Sequence, residues 1–347
     1  MAFAQVPDIS KAQINKAGLV LRKGPNFSEF ANALKIAEKW RACHSYPINT
    51  FQATLRTKVR SYPNDPIVAQ RLKRMPTIID KLGREPSMQL TTMQDIGGVR
   101  AVLGTIDDVY KLVTDYKNNK RLPHELYNQK DYIKEPRDID GYRSIHLMYK
   151  YSNRNAPEYN GLRIELQVRT KLQHTWATAV ETMGTFLGQA LKSRQGDKEW
   201  LDFFATVSSA FASIEKTNVL PRHQGKKKDE IFQLVTQIEK KIGALEKMGG
   251  FYTAVKEINK KGEGWSYHLI ILNSFEKTVQ IIPYNREKLE KAIQDYGDVE
   301  AEAVKGKKIE PVLVSAGPLA ILRRAYPNFF LDISEFIKDV KEIVNIH

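Results

Sequence analysis

Three short runs constrain the fold of this chain most: "GGVRAVLG" at 97–104, "RSIHLMYKY" at 143–151 and "LRIELQV" at 162–168. Their length and apolar patterning are those of strands. In the third, period-2 alternation puts Ile164, Leu166 and Val168 on one face and Arg163, Glu165, Gln167 and Arg169 on the other. Helical segments separate the runs between residues 66 and 185. The pattern predicts a mixed α/β domain in which helices pack on a sheet.

The flanks have a different texture. Residues 1–60 form a mostly helical lead-in: "FSEFANALKIAEKWRACH" has helical apolar spacing, and "SYPINTFQATLRTKV" begins another helix after Pro47. A central domain is expected over 61–220, trailing helices included, and a linker helix over 221–250 opens at "PRHQGKKKDE". There Lys226, Lys227 and Lys228 read as a solvated connection, with contact to the body of a nucleic acid the alternative. Beyond it, 251–347 should form a small α+β module. Its elements are paired strands in "GWSYHLIIL" and "KTVQIIPY", a helix in "NREKLEKAIQDYGD", a strand in "IEPVLVSA" and a closing helix in "LDISEFIKDVKEIV".

Charge narrows the partners. The chain of 347 residues carries 54 Lys and Arg against 40 Asp and Glu, a formal charge of +14, which either predicts attraction to polyanions such as nucleotides and nucleic acid or is the balance of an ordinary basic soluble protein. Cys43 is its single cysteine, which excludes an internal disulfide and a multi-cysteine zinc site and fits a reducing compartment. No apolar run approaches a membrane span, and the N-terminus lacks the pattern of a signal peptide. A cytoplasmic protein with no membrane partner is expected.

Four stretches can carry chemistry. Glu165, set between two arginines, would stay ionised, or the strand is a surface strand with ordinary ion pairs. Asp95 stands just before two glycines and a strand, where a carboxylate can hold Mg²⁺ together with phosphate oxygens, or can simply close a turn. Arg100 can stack on a base or pair with a carboxylate. In "AQRLKRMPTIIDKLGRE", Pro76 starts a helix with Thr77 and Lys81 one turn apart. Arg71, Lys73 and Arg74 approach along an extended lead-in, making a polyphosphate clamp or a solvated basic face. No GxxxxGK[ST] loop is present. Finally, alternation after Gly141 sets Tyr142, Ser144 and His146 on one side of an extended segment, so that Tyr142 either belongs to a half-buried strand or is presented to a flat ligand.

In order, Arg71-x-Lys73 with Thr77 and Lys81, "DIGGVR" at 95–100, "GYRSIH" at 141–146 and "ELQVRT" at 165–170 resemble the synthetase domain of the RelA/SpoT family. The resemblance covers roughly residues 30–185. It implies an α+β fold with a nucleotidyltransferase-like mixed sheet flanked by helices, and an ATP-dependent pyrophosphotransferase acting on a ribose 3′-hydroxyl. It also implies roles. Asp95 and Glu165 would hold Mg²⁺, with Glu165 the general base. Arg71, Lys73 and Lys81 would bind the phosphates of ATP, and Arg100 its adenine. Tyr142 would stack on the acceptor base, supported by His146 and Gln167.

The C-terminal module resembles the antitoxin part of CapRel-type fused toxin–antitoxin proteins, a pseudo-zinc-finger fold without metal ligands. Within "RRAYPNFFLDISEF", Tyr326 and Phe329 would be the autoinhibitory aromatic pair that blocks the ATP site, although the family more often has Tyr at both places, or Tyr326, Phe329 and Phe330 are core of the small module. The first 60 residues leave no room for an upstream hydrolase domain. The resemblance then implies an enzyme that modifies the tRNA 3′-CCA end and blocks translation when a phage major capsid protein binds the module; a monomer is expected, although the sequence does not show the oligomeric state. The alternative is a (p)ppGpp synthetase acting on GDP or GTP. A catalytically silent RNA-binding relative is a third reading, against which the intact Asp95 and Glu165 argue.

Overall fold

Strand-forming residues in the first half build a five-stranded sheet, and the order of its strands decides which side chains meet. In this computed structural model, residues 3–25, 28–73, 75–186, 198–260, 265–273, 276, 278–304, 307, 309–315 and 329–345 are described. They divide into two units, residues 1–133 with 144–171 and residues 134–143 with 172–347.

In the first unit the strands are β1 (Ile67–Leu72), β2 (Gly97–Leu103), β3 (Glu125–Asp131), β4 (Ile145–Lys150) and β5 (Arg163–Thr170), ordered β1-β2-β5-β4-β3. β2 and β5 run parallel and every other pair is antiparallel. Two helices cover the apolar face. One is α3 (Ser45–Val59), which follows α1 (Lys11–Lys23) and α2 (Phe30–Ala42); α4 (Met75–Arg84) comes after β1, and α5 (Ile106–Asn118) is the second covering helix. Thr105 caps α5 by accepting from Asp108 N, with Asp107 and Asp108 favourably placed in its first turn. Val99, Ala101, Leu166 and Val168 from the central strands share one buried cluster with Phe51 and Leu55 of α3 and Val109 and Leu112 of α5.

The three anticipated strands are present, as is the mixed sheet flanked by helices. β1 and β3 are additions: the extended lead-in through Arg71 is a paired strand, and β3 was not anticipated. Both are edge strands whose sequences, IVAQRL and ELYNQKD, have no fully buried residue and no sustained apolar alternation. Gly97 has a packing role: a Cβ there would lie 2.8 Å from Ile48 Cγ2 and 3.1 Å from His44 Cβ, so a side chain would push α3 off the sheet.

His44 is buried under this contact, donating Nδ1–H to the Trp40 carbonyl oxygen at 2.8 Å. Burial pushes its pKa down to about 4, with the Trp40 bond opposing. The folded value lies below the unfolded one, so stability is intact above about pH 6.5 and falls as pH drops toward 4. Its share of that loss is about 1.4 kcal/mol for each pH unit in the window, so thermal melts of His44→Gln should show a slope flatter than wild type by about that amount. Equal slopes in the two proteins would refute this.

The second unit contains α6 (Lys171–Phe186, from Leu172 onward), α7 (Lys198–Ile214), α8 (Lys228–Ile242) and α9 (Ala244–Lys260). The antiparallel sheet β7-β6-β8 follows, made of β6 (Tyr267–Asn273), β7 (Thr278–Tyr284) and β8 (Ile309–Ser315), with α10 (Leu289–Val304) and α11 (Phe329–Asn345). Gly243, left-handed at φ 61°, ends α8 with its N–H on Glu239 O. α7 is buried at every position from Phe203 to Ala212, which makes it the central helix of this unit. Phe204 and Phe211 of α7 meet Phe336 of α11 at 6.0 and 5.9 Å between ring centroids. No helix among the described residues is long and apolar enough to cross a membrane.

Candidate active site

Strand register lays the polar residues of the first unit in two rows across the sheet face opposite its core. Pairing places Arg71, Gly98, Glu165 and Met148 in one row, and Arg100, Gln167, His146 and Lys130 in the next. Within a strand, residues two apart share a face, so Glu165 and Gln167 point the same way. At Gly98 an added Cβ would meet nothing nearer than Glu165 O at 3.8 Å, so the space beside Glu165 is left open.

Glu165, 6% exposed, is held at both oxygens: His146 Nδ1 lies 2.8 Å from Oε1 and Gln167 Nε2 donates to Oε2 at 2.7 Å. Arg100 donates in turn from Nε and Nη2 to Gln167 Oε1, at 3.3 and 3.2 Å. Tyr132 stands edge-on to the His146 ring, with centroids 5.2 Å apart. Burial alone would raise the Glu165 pKa, but the His146 imidazole and the Gln167 amide outweigh it and hold the carboxyl below its ordinary value, the Asp95 charge opposing them. The carboxylate is therefore ionised, as its sequence suggested, although the partners are His146 and Gln167 rather than the flanking arginines. Arg163 instead donates to Thr92 O and lies over the Tyr127 ring, and Arg169 is buried.

Asp95 is the second carboxylate. Lys73 N donates to Ile96 O at 2.8 Å, extending the β1–β2 pairing by one step and drawing Lys73 beside Asp95. Lys73 Nζ then lies 2.8 Å from Asp95 Oδ2, and Lys81 Nζ, from α4, lies 3.1 Å from Oδ1. Burial would raise the Asp95 pKa, but the two ammonium groups overcome it and hold the carboxyl well below the usual carboxylate range.

Two ionised carboxylates, near enough for the charge of one to act on the other, stand among Lys73, Lys81 and Arg100. Among the described residues no group of three or more His, Cys, Asp and Glu is placed to hold a metal. A divalent cation held here would find Asp95 and Glu165 as its carboxylates, which fits Mg²⁺, an ion that completes its shell with water and phosphate oxygens. The charges fit as well. The cations suit a polyphosphate, and Glu165 suits a proton acceptor.

The structure brings together Asp95, Glu165, Lys73, Lys81, Arg100, His146 and Gln167, with Arg71 in the Glu165 row. Thr77 is exposed on α4. The common face expected for Tyr142, Ser144 and His146 is not formed, because strand pairing begins only at Ile145 and Ser144 turns its hydroxyl to Val168 O. Tyr142 belongs to the second unit, where the Arg137 guanidinium lies 4.7 Å from its ring centroid and Trp176 stands edge-on. Tyr326 lies outside the described residues; Phe329 is the first residue of α11, and its side chain lies outside them too. Tyr132, which meets His146, carries no signal in the sequence, since an aromatic residue just past an edge strand belongs to no apolar pattern.

Residues 70–184 match the family described as the region found in RelA / SpoT proteins. Among curated proteins the chain is 32% identical over 113 residues to the GTP pyrophosphokinase YjbM of Bacillus subtilis, covering 32% of this chain and 52% of that protein. It is also 32% identical over 114 residues to the GTP pyrophosphokinase YwaC of the same organism, covering 31% and 52%. The chain spans about half the length of the curated relatives it matches. Among solved structures, the small alarmone synthetase 1 of Bacillus subtilis bound to its product pppGpp is 23% identical with a TM-score of 0.44, covering 52% of this chain and 92% of that one. The segment from Arg71 to Gln167 that builds the two-carboxylate face thus lies wholly inside a region of the RelA / SpoT type.

Proposed function

We propose that the chain is a pyrophosphotransferase that moves the β,γ-pyrophosphate of ATP to a ribose 3′-hydroxyl. The observation that carries this reading is the pair of ionised carboxylates, Glu165 fixed at both oxygens and Asp95 clamped by two lysines, inside the RelA / SpoT-type region. The acceptor oxygen bonds to the β-phosphorus, the bond from that phosphorus to the α,β-bridging oxygen breaks, and AMP leaves with the electron pair. The acceptor proton passes to Glu165. His146 and Gln167 aim the carboxylate and keep it unprotonated at neutral pH; its reduced basicity suits a proton moved late, after the new bond has begun to form. Mg²⁺ at Asp95 and Glu165 would neutralise phosphate charge. Lys73, Lys81 and Arg71 would grip the phosphates, and Arg100 the adenine. Transfer of this kind needs positioning and charge neutralisation above all.

For the acceptor we propose the tRNA 3′-CCA end, with Tyr142 stacking on its terminal base. Charge distribution supports it: the first unit holds 26 Lys and Arg against 14 Asp and Glu, +12 of the +14 total. Modifying that end would block translation. On the same reading residues 251–347 form a pseudo-zinc-finger-like antitoxin module, Tyr326 and Phe329 keep the enzyme silent, and a phage capsid protein bound to the module releases it. The second reading, a (p)ppGpp synthetase acting on GDP or GTP, is favoured by the similarity to two GTP pyrophosphokinases.

The test uses the Tyr326→Ala chain with β- or γ-labelled ATP and either tRNA or GDP/GTP. Label in tRNA, at a rate at least about tenfold above wild type, is the expected result. Label in a guanosine tetra- or pentaphosphate selects the second reading. Equal rates in variant and wild type would sink the autoinhibitory role of Tyr326, and no transfer to either acceptor would sink the activity.

A further inference from the structure

The segment that carries Tyr142 packs as part of the second unit, and the reason is a serine in the middle of α7. Ser208 is 2% exposed, on a helix that is buried all round, so its hydroxyl has to find partners inside the protein. It finds two in one loop: it donates to Gly141 O at 2.5 Å and accepts from Arg143 Nε at 2.9 Å. Those residues flank Tyr142. The fit allows no side chain at 141, since a Cβ there would lie 2.9 Å from Ser208 Cβ and 3.0 Å from Ala205 Cα, and φ is +76°. Arg143 is also 2% exposed, and its Nη1 and Nη2 have no hydrogen-bond partner among the described residues. Among the described residues its hydrogen bond to Ser208, with the charge of Glu215 acting beside it, holds the buried guanidinium in place.

The rest of the loop is stiffened and anchored in the same direction. Arg137 and Asp140 form an ion pair, Tyr142 N donates to Asp140 Oδ1 at 3.1 Å, and Gly141 N donates to Arg137 O at 2.8 Å. Asn218 Nδ2 holds Lys134 O at 2.7 Å, and Arg222 Nη2 holds Asp138 O at 2.5 Å, both from the chain that follows α7. Tyr142 itself stands edge-on to Trp176, whose Nε1 donates to Phe204 O of α7 at 2.7 Å. Phe204 also meets Phe336 of the last helix.

We propose that Ser208 latches the 137–143 loop to α7 and so acts as a positioning residue for Tyr142, placing acceptor binding under the control of the C-terminal half of the chain. This rests on the acceptor role given to Tyr142 above. A trigger that shifts α11 would move Phe336, then α7, then the loop. The latch itself would thus act on the acceptor side of the reaction.

The test compares Ser208→Ala with Ser209→Ala in the full chain. Ser209 is an equally buried neighbour whose hydroxyl accepts from Leu220 N at 3.2 Å and pairs with His223 Nδ1 at 2.8 Å, with no bond to the loop. Hydrogen exchange should speed up by about tenfold at residues 137–143 in Ser208→Ala, with β4 unchanged, and should not do so in Ser209→Ala. In the labelled-ATP assay, made in the Tyr326→Ala background, Ser208→Ala should raise the acceptor KM by about fivefold or more and leave the ATP KM unchanged. Unaltered exchange at 137–143, or the same change in both variants, overturns the latch whatever the enzyme does. Faster exchange with an unaltered acceptor KM overturns the link to the acceptor. A chain that transfers to neither acceptor fails the proposed function, and the exchange experiment still decides the latch.

Discussion

Glu165→Gln should lower the rate of pyrophosphate transfer by about a thousandfold or more while leaving the fold in place. The two side chains have the same shape, so the change removes one charge and one proton acceptor without opening a cavity. Gln can still accept at one oxygen, but its amide nitrogen cannot accept from either His146 or Gln167, so one of the two present bonds at 2.8 and 2.7 Å has to break or reverse. Loss of the base alone costs about 10²–10⁴ in rate, and loss of a metal-holding carboxylate adds to it. The ATP KM should change little by comparison, because Lys73 and Lys81 are untouched. Rates measured with saturating Mg²⁺ and a thermal melt of the same sample decide the matter. A folded variant within about tenfold of wild type would remove Glu165 from the chemistry.

Much of this site was legible because the central strands are covered on one face and functional on the other. In β5 the alternation of Ile164, Leu166 and Val168 with Glu165 and Gln167 survives folding intact, since a one-residue slip would bury the carboxylate in the core. The partners of Glu165 were less legible. Flanking residues suggested two arginines, but the nearest side chains across a sheet come from register, and register puts His146 opposite Gln167. The edge strands escaped notice for the opposite reason. β1 and β3 bury too little to need an apolar pattern, so Arg71 read as part of a lead-in and Lys130 was not seen as a neighbour of His146. Tyr142 shows a third limit. Its local alternation continues that of β4, yet Gly141 and Arg143 are claimed by Ser208, which lies 65 residues beyond Arg143. No local pattern reports a hydrogen bond across that separation.

Asp95→Asn should separate what the ion pairs do for stability from what the carboxylate does for catalysis. Asp95 is the common partner of Lys73 and Lys81, whose side chains are only 9% and 19% exposed, so neutralising it leaves two half-dried ammonium groups facing each other. Removing one partner of such a cluster costs more than the pairs contribute, and a loss of about 2 kcal/mol in unfolding free energy is expected. Adding Lys73→Met to the variant removes one of the stranded charges, and should recover at least half of that loss through the coupling between the two positions. Transfer should not recover. Asp95→Asn alone should fall by about a hundredfold or more, and the double variant should fall further because a phosphate-binding cation has gone as well. Denaturant unfolding and labelled-ATP transfer on wild type, both single variants and the double variant give the full cycle. If the double variant is no more stable than Asp95→Asn, the lysines are not held by charge in the way the distances imply. If Asp95→Asn transfers at the wild-type rate, the site has one essential carboxylate, and any divalent cation would have to be held by Glu165 and the phosphates alone.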